Sequence, residues 1–212
     1  MITTIIFDLD GLLADTEPLQ MQAYQQALLA HGVILTEAEY AHHWIRAGLC
    51  IDQFIFERGL HIDPAVVRKQ KKQLYQGLLE TSLQAMPGAA ELLERLYGRK
   101  RLALASSSFR NDVQRVLQRL DFARYMEAVA AREDVEQAKP APEVFLYVAW
   151  RMGVEPCECV VIEDAEKGIL AAGRADIKSI AVPNRYTRDN DFSAATVVVE
   201  SLGEIERLVE ML

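Results

Sequence analysis

The sequence has little of what marks secreted, membrane-spanning or nucleic-acid-binding proteins. Its three cysteines, Cys50, Cys157 and Cys159, are too few for a disulfide framework or for the four ligands of a structural zinc site. No apolar run approaches the roughly 20 residues needed to span a bilayer, and a strand-like run rather than a signal peptide follows Met1. The net charge of -8 leaves no broad basic surface for nucleic acid or anionic lipid. We therefore expect a cytoplasmic protein, monomeric by default, with reduced cysteines.

Short apolar runs alternate with helical patterns along most of the chain. The first run, residues 2–7, is continuously apolar, which is typical of a strand buried on both faces. Further runs lie at residues 102–105, 129–130, 159–162, 179–182 and 196–199, and helical patterns lie at residues 89–97, 111–120, 143–152 and 165–175. This alternation predicts an α/β fold with a Rossmann-like, open parallel sheet.

Residues 16–85 interrupt the alternation. They hold no good strand pattern, and their helical patterns cover residues 18–30, 36–46, 52–58 and 64–81. Thr36 and Glu39 form a capping-box pattern, and Asp63 followed by Pro64 marks another helix start. Connections in α/β units usually span about 2–6 residues, so an insertion this long predicts a separate subdomain. We expect an all-helical cap over residues 16–85, with residues 1–15 and 86–212 forming the core.

Polar residues follow several of the predicted strands. In open parallel sheets, ligands bind outside the carboxyl ends of the strands, so these residues are candidates for a binding site. They are Asp8, Asp10 and Gly11 after the first run, Ser106 and Ser107 after the second, Lys139 before Pro140, and Glu163 and Asp164 after the run 159–162.

Each of these segments also has an ordinary structural interpretation. Asp8 and Asp10 could belong to a surface turn, and Ser108 could cap the next helix. Lys139 could be a solvated surface lysine, and Asp164 could cap a helix as well. However, two carboxylates as close as Asp8 and Asp10 repel each other unless a cation lies between them or one keeps its proton. Mg²⁺ commonly binds a few protein oxygens together with waters and phosphate.

Taken together, the segments resemble the haloacid dehalogenase-like (HAD) superfamily of phosphotransferases. The resemblance rests on the order Asp, Ser, Lys, Asp at successive strand ends. It also rests on the segments FDLDGLLADTEP at residues 7–18, KPAPEVF at 139–145 and IEDAEKG at 162–168. The chain is most similar to the branch of β-phosphoglucomutases and sugar-phosphate phosphatases with a helical cap. This resemblance covers almost the whole chain and implies a HAD core with an inserted helical cap.

The resemblance also implies a role for each residue at the strand ends. Asp8 would attack phosphorus and become an aspartyl phosphate, and Asp10 would act as general acid and then general base. Thr16 would help to place Asp10, and Gly11 would allow the turn that follows. The expected ligands of Mg²⁺ are Asp8, the backbone carbonyl of Asp10, Asp164 and, directly or through water, Glu163. The expected phosphate-binding residues are Ser106, which we favour over Ser107, and Lys139.

The resemblance leaves a choice between hydrolysis and phosphoryl exchange. In the mutases a cap histidine, a cap arginine and a lysine after the serine segment serve a second phosphate, and the matching positions here are Gln20, Ile51 and Phe109. We therefore expect an Mg²⁺-dependent phosphatase of a small phosphorylated metabolite, with a sugar phosphate as the first expectation. A phosphosugar mutase is the alternative, because Arg46, Arg58 or Arg110 could supply the missing charge.

A catalytically silent HAD-like binding protein is the second alternative. The residues that we expect to contact substrate are Gln20, Trp44, Arg46 and Arg110. The basic run at residues 68–72 is interpreted as a solvated helix face rather than a nucleic-acid site.

Overall fold

The structure is a computed structural model that describes residues 1–212. It divides into two compact units, a larger one of residues 1–15 and 84–212 and a smaller one of residues 16–83. None of the helices combines the length and the apolar character that crossing a bilayer requires.

The larger unit is built on a six-stranded parallel sheet. Its strands are β1 (Thr4–Phe7), β2 (Arg101–Ala105), β3 (Ala128–Ala130), β4 (Cys159–Glu163), β5 (Lys178–Ala181) and β6 (Val197–Val198). Their order is β3-β2-β1-β4-β5-β6, and every neighbouring pair is parallel. Ile5, Ile6 and Phe7 of the central β1 are fully buried, which explains its continuous apolar run. The predicted α/β class with a parallel sheet is confirmed.

The smaller unit is entirely helical. It contains α1 (Glu17–Leu29), α2 (Glu37–Tyr40), a π-helical segment (Ala41–Arg46), α3 (Ile51–Glu57) and α4 (Pro64–Ser82). The capping box of α2 is present, because Glu39 N–H donates to Thr36 Oγ1 at 3.2 Å and Thr36 N–H donates to Glu39 Oε2 at 2.9 Å. Asp63 caps α4 by accepting a hydrogen bond from Ala65 N–H at 2.8 Å. The single helix predicted over residues 36–46 is wrong in its second half, which is π-helical.

The larger unit carries five further α-helices. They are α5 (Ala89–Leu96), α6 (Arg110–Arg119), α7 (Glu143–Met152), α8 (Glu166–Arg174) and α9 (Ile205–Met211). One buried cluster joins α7 and α8 to the sheet and includes Phe145, Ala172, Ile6 and Val161. Because the strands are parallel, all their carboxyl ends lie at one edge of the sheet, where the loops into these helices begin.

Candidate active site

Lys139 connects the carboxyl ends of three adjacent strands. Its Nζ donates to Asp8 Oδ1 at 2.5 Å, to Glu163 Oε1 at 2.9 Å and to the carbonyl oxygen of Ala105 at 2.9 Å. Asp8 directly follows β1, Ala105 ends β2 and Glu163 ends β4. The ammonium group also lies 4.8 Å from the centre of the Phe145 ring, and the lysine side chain is 1% exposed. The interpretation of Lys139 as a solvated surface residue is therefore wrong.

Burial and the neighbouring charges both shift the pKa values of the groups in this cluster. Burial raises the pKa of Asp8 to about 7, with Lys139 acting in the opposite direction. Burial would also raise the pKa of Glu163, but Lys139 and the Ala165 N–H group outweigh it and lower that pKa. Burial would lower the pKa of Lys139, yet the two carboxylates overcome this and raise it above its usual value. Lys139 is therefore a fixed cation and Glu163 a fixed anion.

Three buried carboxyl groups form a candidate metal site. Oxygens of Asp8, Glu163 and Asp164 all lie within 4.8 Å of one another. Taking carboxylates out of water is costly unless cations compensate them, and Lys139 supplies only one positive charge. Hard divalent cations prefer oxygen ligands of this kind. The donor set therefore fits a divalent cation such as Mg²⁺.

Asp10 contacts the serine segment that follows β2. Its Oδ2 accepts hydrogen bonds from Ser108 Oγ at 2.7 Å and from Ser106 Oγ at 3.2 Å, while Ser108 N–H donates to Ser106 Oγ at 3.0 Å. Ser106 is buried and Ser107 is half-buried. The two hydroxyls hold one oxygen of Asp10 in place, whereas the carboxyl group of Asp8 is held by Lys139.

Two alternative interpretations as helix caps are wrong. Ser108 does not cap α6, whose N-cap is Phe109 and has no side-chain cap, because the Ser108 hydroxyl is bound to Asp10. Asp164 does not cap α8, whose N-cap is Ala165.

Asn184 is a residue of this edge that motif reasoning did not assign to the site. Its Nδ2 donates to Asp164 Oδ2 at 2.7 Å and to the carbonyl oxygen of Gly11 at 3.0 Å. Gly11 has a φ of 81°, in the left-handed region that favours glycine. Two signals in the sequence point to it: a polar residue follows shortly after the run 179–182, and Pro183-Asn184 resembles the later part of HAD proteins.

Several candidate substrate residues already have partners within their own unit. Gln20 Oε1 accepts a hydrogen bond from Lys71, whose Nζ also lies over the ring of Tyr24. Lys71 is therefore not part of a solvated face, in contrast to the interpretation of residues 68–72. In the larger unit, the Arg110 guanidinium is paired with Asp134.

The remaining candidates of the smaller unit differ in exposure. Trp44 packs against Tyr24 and Phe54, with ring centres 4.6 Å and 5.1 Å away. Thr16 is buried at the start of α1, and Arg46 is exposed at the end of the π-helical segment. Their roles toward substrate stay predictions.

Comparisons with known proteins agree with this geometry. The profile of the haloacid dehalogenase-like hydrolase family matches residues 5–182. The fructose-1-phosphate phosphatase YqaB of Escherichia coli is 31% identical over 179 residues, covering 84% of this chain and 95% of that protein. The phosphorylated carbohydrates phosphatase of Thermotoga maritima is 34% identical over 184 residues, covering 83% and 82%. The crystal structure of CbbY from Rhodobacter sphaeroides in complex with phosphate superposes with a TM-score of 0.82 at 25% identity, covering 97% of this chain and 96% of that one. The chain thus belongs to the haloacid dehalogenase-like hydrolase family.

Proposed function

We propose that this protein is an Mg²⁺-dependent phosphatase that hydrolyses a small phosphomonoester through a phosphorylated Asp8. The observation that carries the proposal is the buried contact of Lys139 with Asp8 and Glu163, beside the carboxylate of Asp164. A nucleophilic carboxylate next to a fixed cation and a candidate metal site is what attack on an anionic phosphate requires.

In the first half of the reaction, one oxygen of Asp8 forms a bond to phosphorus. The bond from phosphorus to the ester oxygen breaks, and Asp10 gives its proton to that oxygen as the alcohol leaves. In the second half, Asp10 takes a proton from water, and the resulting oxygen attacks phosphorus. The bond to Asp8 breaks, inorganic phosphate leaves, and both carboxyl groups return to their starting states.

The contacts of Asp10 support its role as general acid and general base. Ser106 and Ser108 both donate to Oδ2, so the carboxyl group that would transfer the proton is held in a defined orientation. We propose Ser106 and Lys139 as the groups that bind the phosphoryl oxygens, with Ser107 as a further candidate. A serine hydroxyl has one proton, so Ser106 would turn from Asp10 to the phosphoryl oxygen while Ser108 continues to hold Asp10. Thr16 in the smaller unit is proposed to help place Asp10.

The metal would be bound by the residues of the acidic cluster. Asp8 and Asp164 would be ligands together with the backbone carbonyl of Asp10, and Glu163 would bind directly or through water. When bound, Mg²⁺ neutralises phosphate charge and so permits the approach of the anionic nucleophile.

Three features favour hydrolysis over a mutase reaction, which needs a second cationic phosphate site. Ile51, at the position of a mutase arginine, is buried and apolar, and Phe109 is an exposed aromatic residue. Two of the three arginines that could have replaced these charges are engaged within their own units, Arg58 with Glu39 and Arg110 with Asp134. The carbohydrate-phosphate names of two relatives support a sugar phosphate as the first substrate class.

The test is phosphate release from a panel of sugar phosphates, with phosphoglycolate and nucleoside monophosphates beside them. We expect release with Mg²⁺ and none with EDTA, and Asp8→Asn should abolish it. Asp121→Asn is the matched control, because Asp121 is exposed and its φ of 58° suits asparagine. An active Asp8→Asn protein would rule out Asp8 as the nucleophile.

The two alternatives have distinct outcomes in the same assay. Conversion of glucose 1-phosphate to glucose 6-phosphate, primed by a bisphosphate, would establish a mutase. No phosphate release from any substrate of the panel would favour a binding protein without catalysis.

A further inference from the structure

The side-chain amide of Asn184 joins two segments of the candidate metal site. Nδ2 carries two hydrogens, and the two acceptors are Asp164 Oδ2 at 2.7 Å and the Gly11 carbonyl oxygen at 3.0 Å. Asp164 follows β4, Gly11 lies in the turn after β1, and Asn184 lies in the loop after β5. Since β1, β4 and β5 are neighbours in the sheet, one amide connects three adjacent strand ends.

The loop after β5 fixes the orientation of this amide. Asn184 Oδ1 accepts hydrogen bonds from Tyr186 N–H at 2.7 Å and from Thr187 N–H at 3.2 Å. Asn184 N–H in turn donates to Thr187 Oγ1 at 3.0 Å, and Thr187 is buried. Because two backbone donors face Oδ1, a flipped amide would set its NH₂ group against them, so Nδ2 must face the carboxylate.

Asp164 Oδ2 is enclosed from a second side by Gly11. A Cβ atom at position 11 would lie 2.6 Å from Asp164 Oδ2 and 2.8 Å from Asn184 Nδ2, so only glycine allows this approach. We propose that Asn184 is a positioning residue that holds Oδ2 of Asp164 and so limits this carboxylate to binding a cation through a single oxygen. The inference rests on the metal site of the proposed function. It adds Asn184 to that site and a preference for Mg²⁺ over Ca²⁺.

One-oxygen ligation has a consequence for the choice of cation. Mg²⁺ requires near-octahedral geometry with ligands at about 2.0–2.1 Å, whereas Ca²⁺ accepts more ligands and often both oxygens of one carboxylate. A carboxylate with one oxygen held by an amide therefore suits Mg²⁺ better than Ca²⁺. Loss of a group that orients a metal ligand typically costs about 10–100-fold in metal affinity.

The experiment is calorimetric titration of the wild-type protein, Asn184→Ala and Asn190→Ala with Mg²⁺ and separately with Ca²⁺. We expect Asn184→Ala to weaken Mg²⁺ binding about tenfold or more, and Ca²⁺ binding clearly less, so that the preference for Mg²⁺ falls. Asn190→Ala is the matched control, because Asn190 belongs to the same loop but its side chain accepts a hydrogen bond from Glu166 N–H, away from the Asn184 amide. It should retain the wild-type preference. Asn184→Ser is measured as well, so that a failure of Asn184→Ala to fold does not prevent the test.

The possible failures can be told apart. Unchanged Mg²⁺ affinity in the Asn184 variants, or an equal loss for both cations, would overturn this inference and leave the phosphatase proposal standing. The same loss of preference in Asn190→Ala would overturn it too, because loop structure alone would then explain the effect. A wild-type protein that releases phosphate but binds no Mg²⁺ would remove both the proposed metal and this inference. Mg²⁺ binding with the expected change, but without phosphate release from any substrate, would refute only the proposed activity.

Discussion

Lys139 Nζ lies 2.5 Å from Asp8 Oδ1, although the two residues are 131 positions apart in the chain. The same ammonium group contacts Glu163, so one buried cation serves two buried carboxyl groups from neighbouring strands. Removing one partner of such a cluster leaves uncompensated charge in a place that is largely shielded from water.

Lys139→Met should therefore destabilise the fold as well as abolish phosphate release. We expect a loss of about 3–5 kcal/mol in the free energy of unfolding, because Asp8 and Glu163 would remain buried without their cation. Urea denaturation in the presence of EDTA measures this without compensation by a metal. Lys178→Met is the control, because Lys178 is exposed, and it should change stability by no more than about 0.5 kcal/mol. Equal effects of the two substitutions would contradict the structural role of the cluster.

Gly168 and Gly173 both lie in α8, and replacing each of them with alanine should change the stability of the protein in opposite directions. A Cβ atom at position 168 would overlap the carboxylate of Glu163, whereas nothing lies within 4 Å of one at position 173. Gly168→Ala should destabilise the protein by about 1–3 kcal/mol or more and reduce phosphate release, because Glu163 would be displaced from Lys139. Gly173→Ala should stabilise it by up to about 1 kcal/mol, since alanine is the better helix former.

Chemical denaturation and initial rates, measured on both variants, provide the comparison. A Gly168→Ala protein with wild-type stability and rate would show that Glu163 can move without consequence.

The sheet could be predicted from the sequence because its determinants are local. The continuous apolarity of residues 2–7 indicates burial on both faces, and the predicted helices at 89–97, 111–120, 143–152 and 165–175 end within one residue of α5 to α8. Parallel strands bring their carboxyl ends to one edge, so the meeting of Asp8 and Glu163 there followed from topology. Lys139 lies in the loop between β3 and α7, and topology alone did not distinguish it from a solvated surface lysine.

The finer contacts could not be read from the chain in the same way. Asn184 reaches Gly11 across 173 residues, and Ser108 reaches Asp10 across 98. In isolation each resembles an ordinary loop or capping residue, and only the spacing of the folded strands decides which partner it meets. The interpretation of Ser108 as a cap was wrong for this reason: its hydroxyl donates to the carboxylate of Asp10, whereas a cap would accept a hydrogen bond from an N–H group of the helix terminus.

Gly11→Ala should impair the site more than an equivalent change elsewhere. Alanine at this position would be strained by the φ of 81° and would clash with Asp164 Oδ2 and Asn184 Nδ2. Gly98→Ala isolates the first effect, because Gly98 has a φ of 75° and a Cβ atom there would meet no other atom within 4 Å. We expect Gly98→Ala to lose about 1–2 kcal/mol of stability with an unchanged rate of phosphate release. Gly11→Ala should lose more stability and at least about tenfold in rate, since the carboxylate of Asp164, a proposed metal ligand, would be displaced.

The three cysteines should differ sharply in reactivity. Cys50 and Cys157 are exposed, whereas Cys159 begins the buried strand β4, and burial raises the pKa of its thiol to about 11. The thiolate is the reactive form, so a raised pKa and the absence of solvent contact both protect Cys159. In the folded protein a chromogenic disulfide reagent should titrate two thiols at pH 8. The third should react only after unfolding in guanidinium chloride, and raising the pH to 9.5 should leave the folded count at two. Cys159→Ala supplies the control, with two reactive thiols both before and after unfolding. Three fast-reacting thiols in the folded wild-type protein would show that β4 opens readily. Glu163 at its end and Asp164 just after it would then not be held in fixed positions.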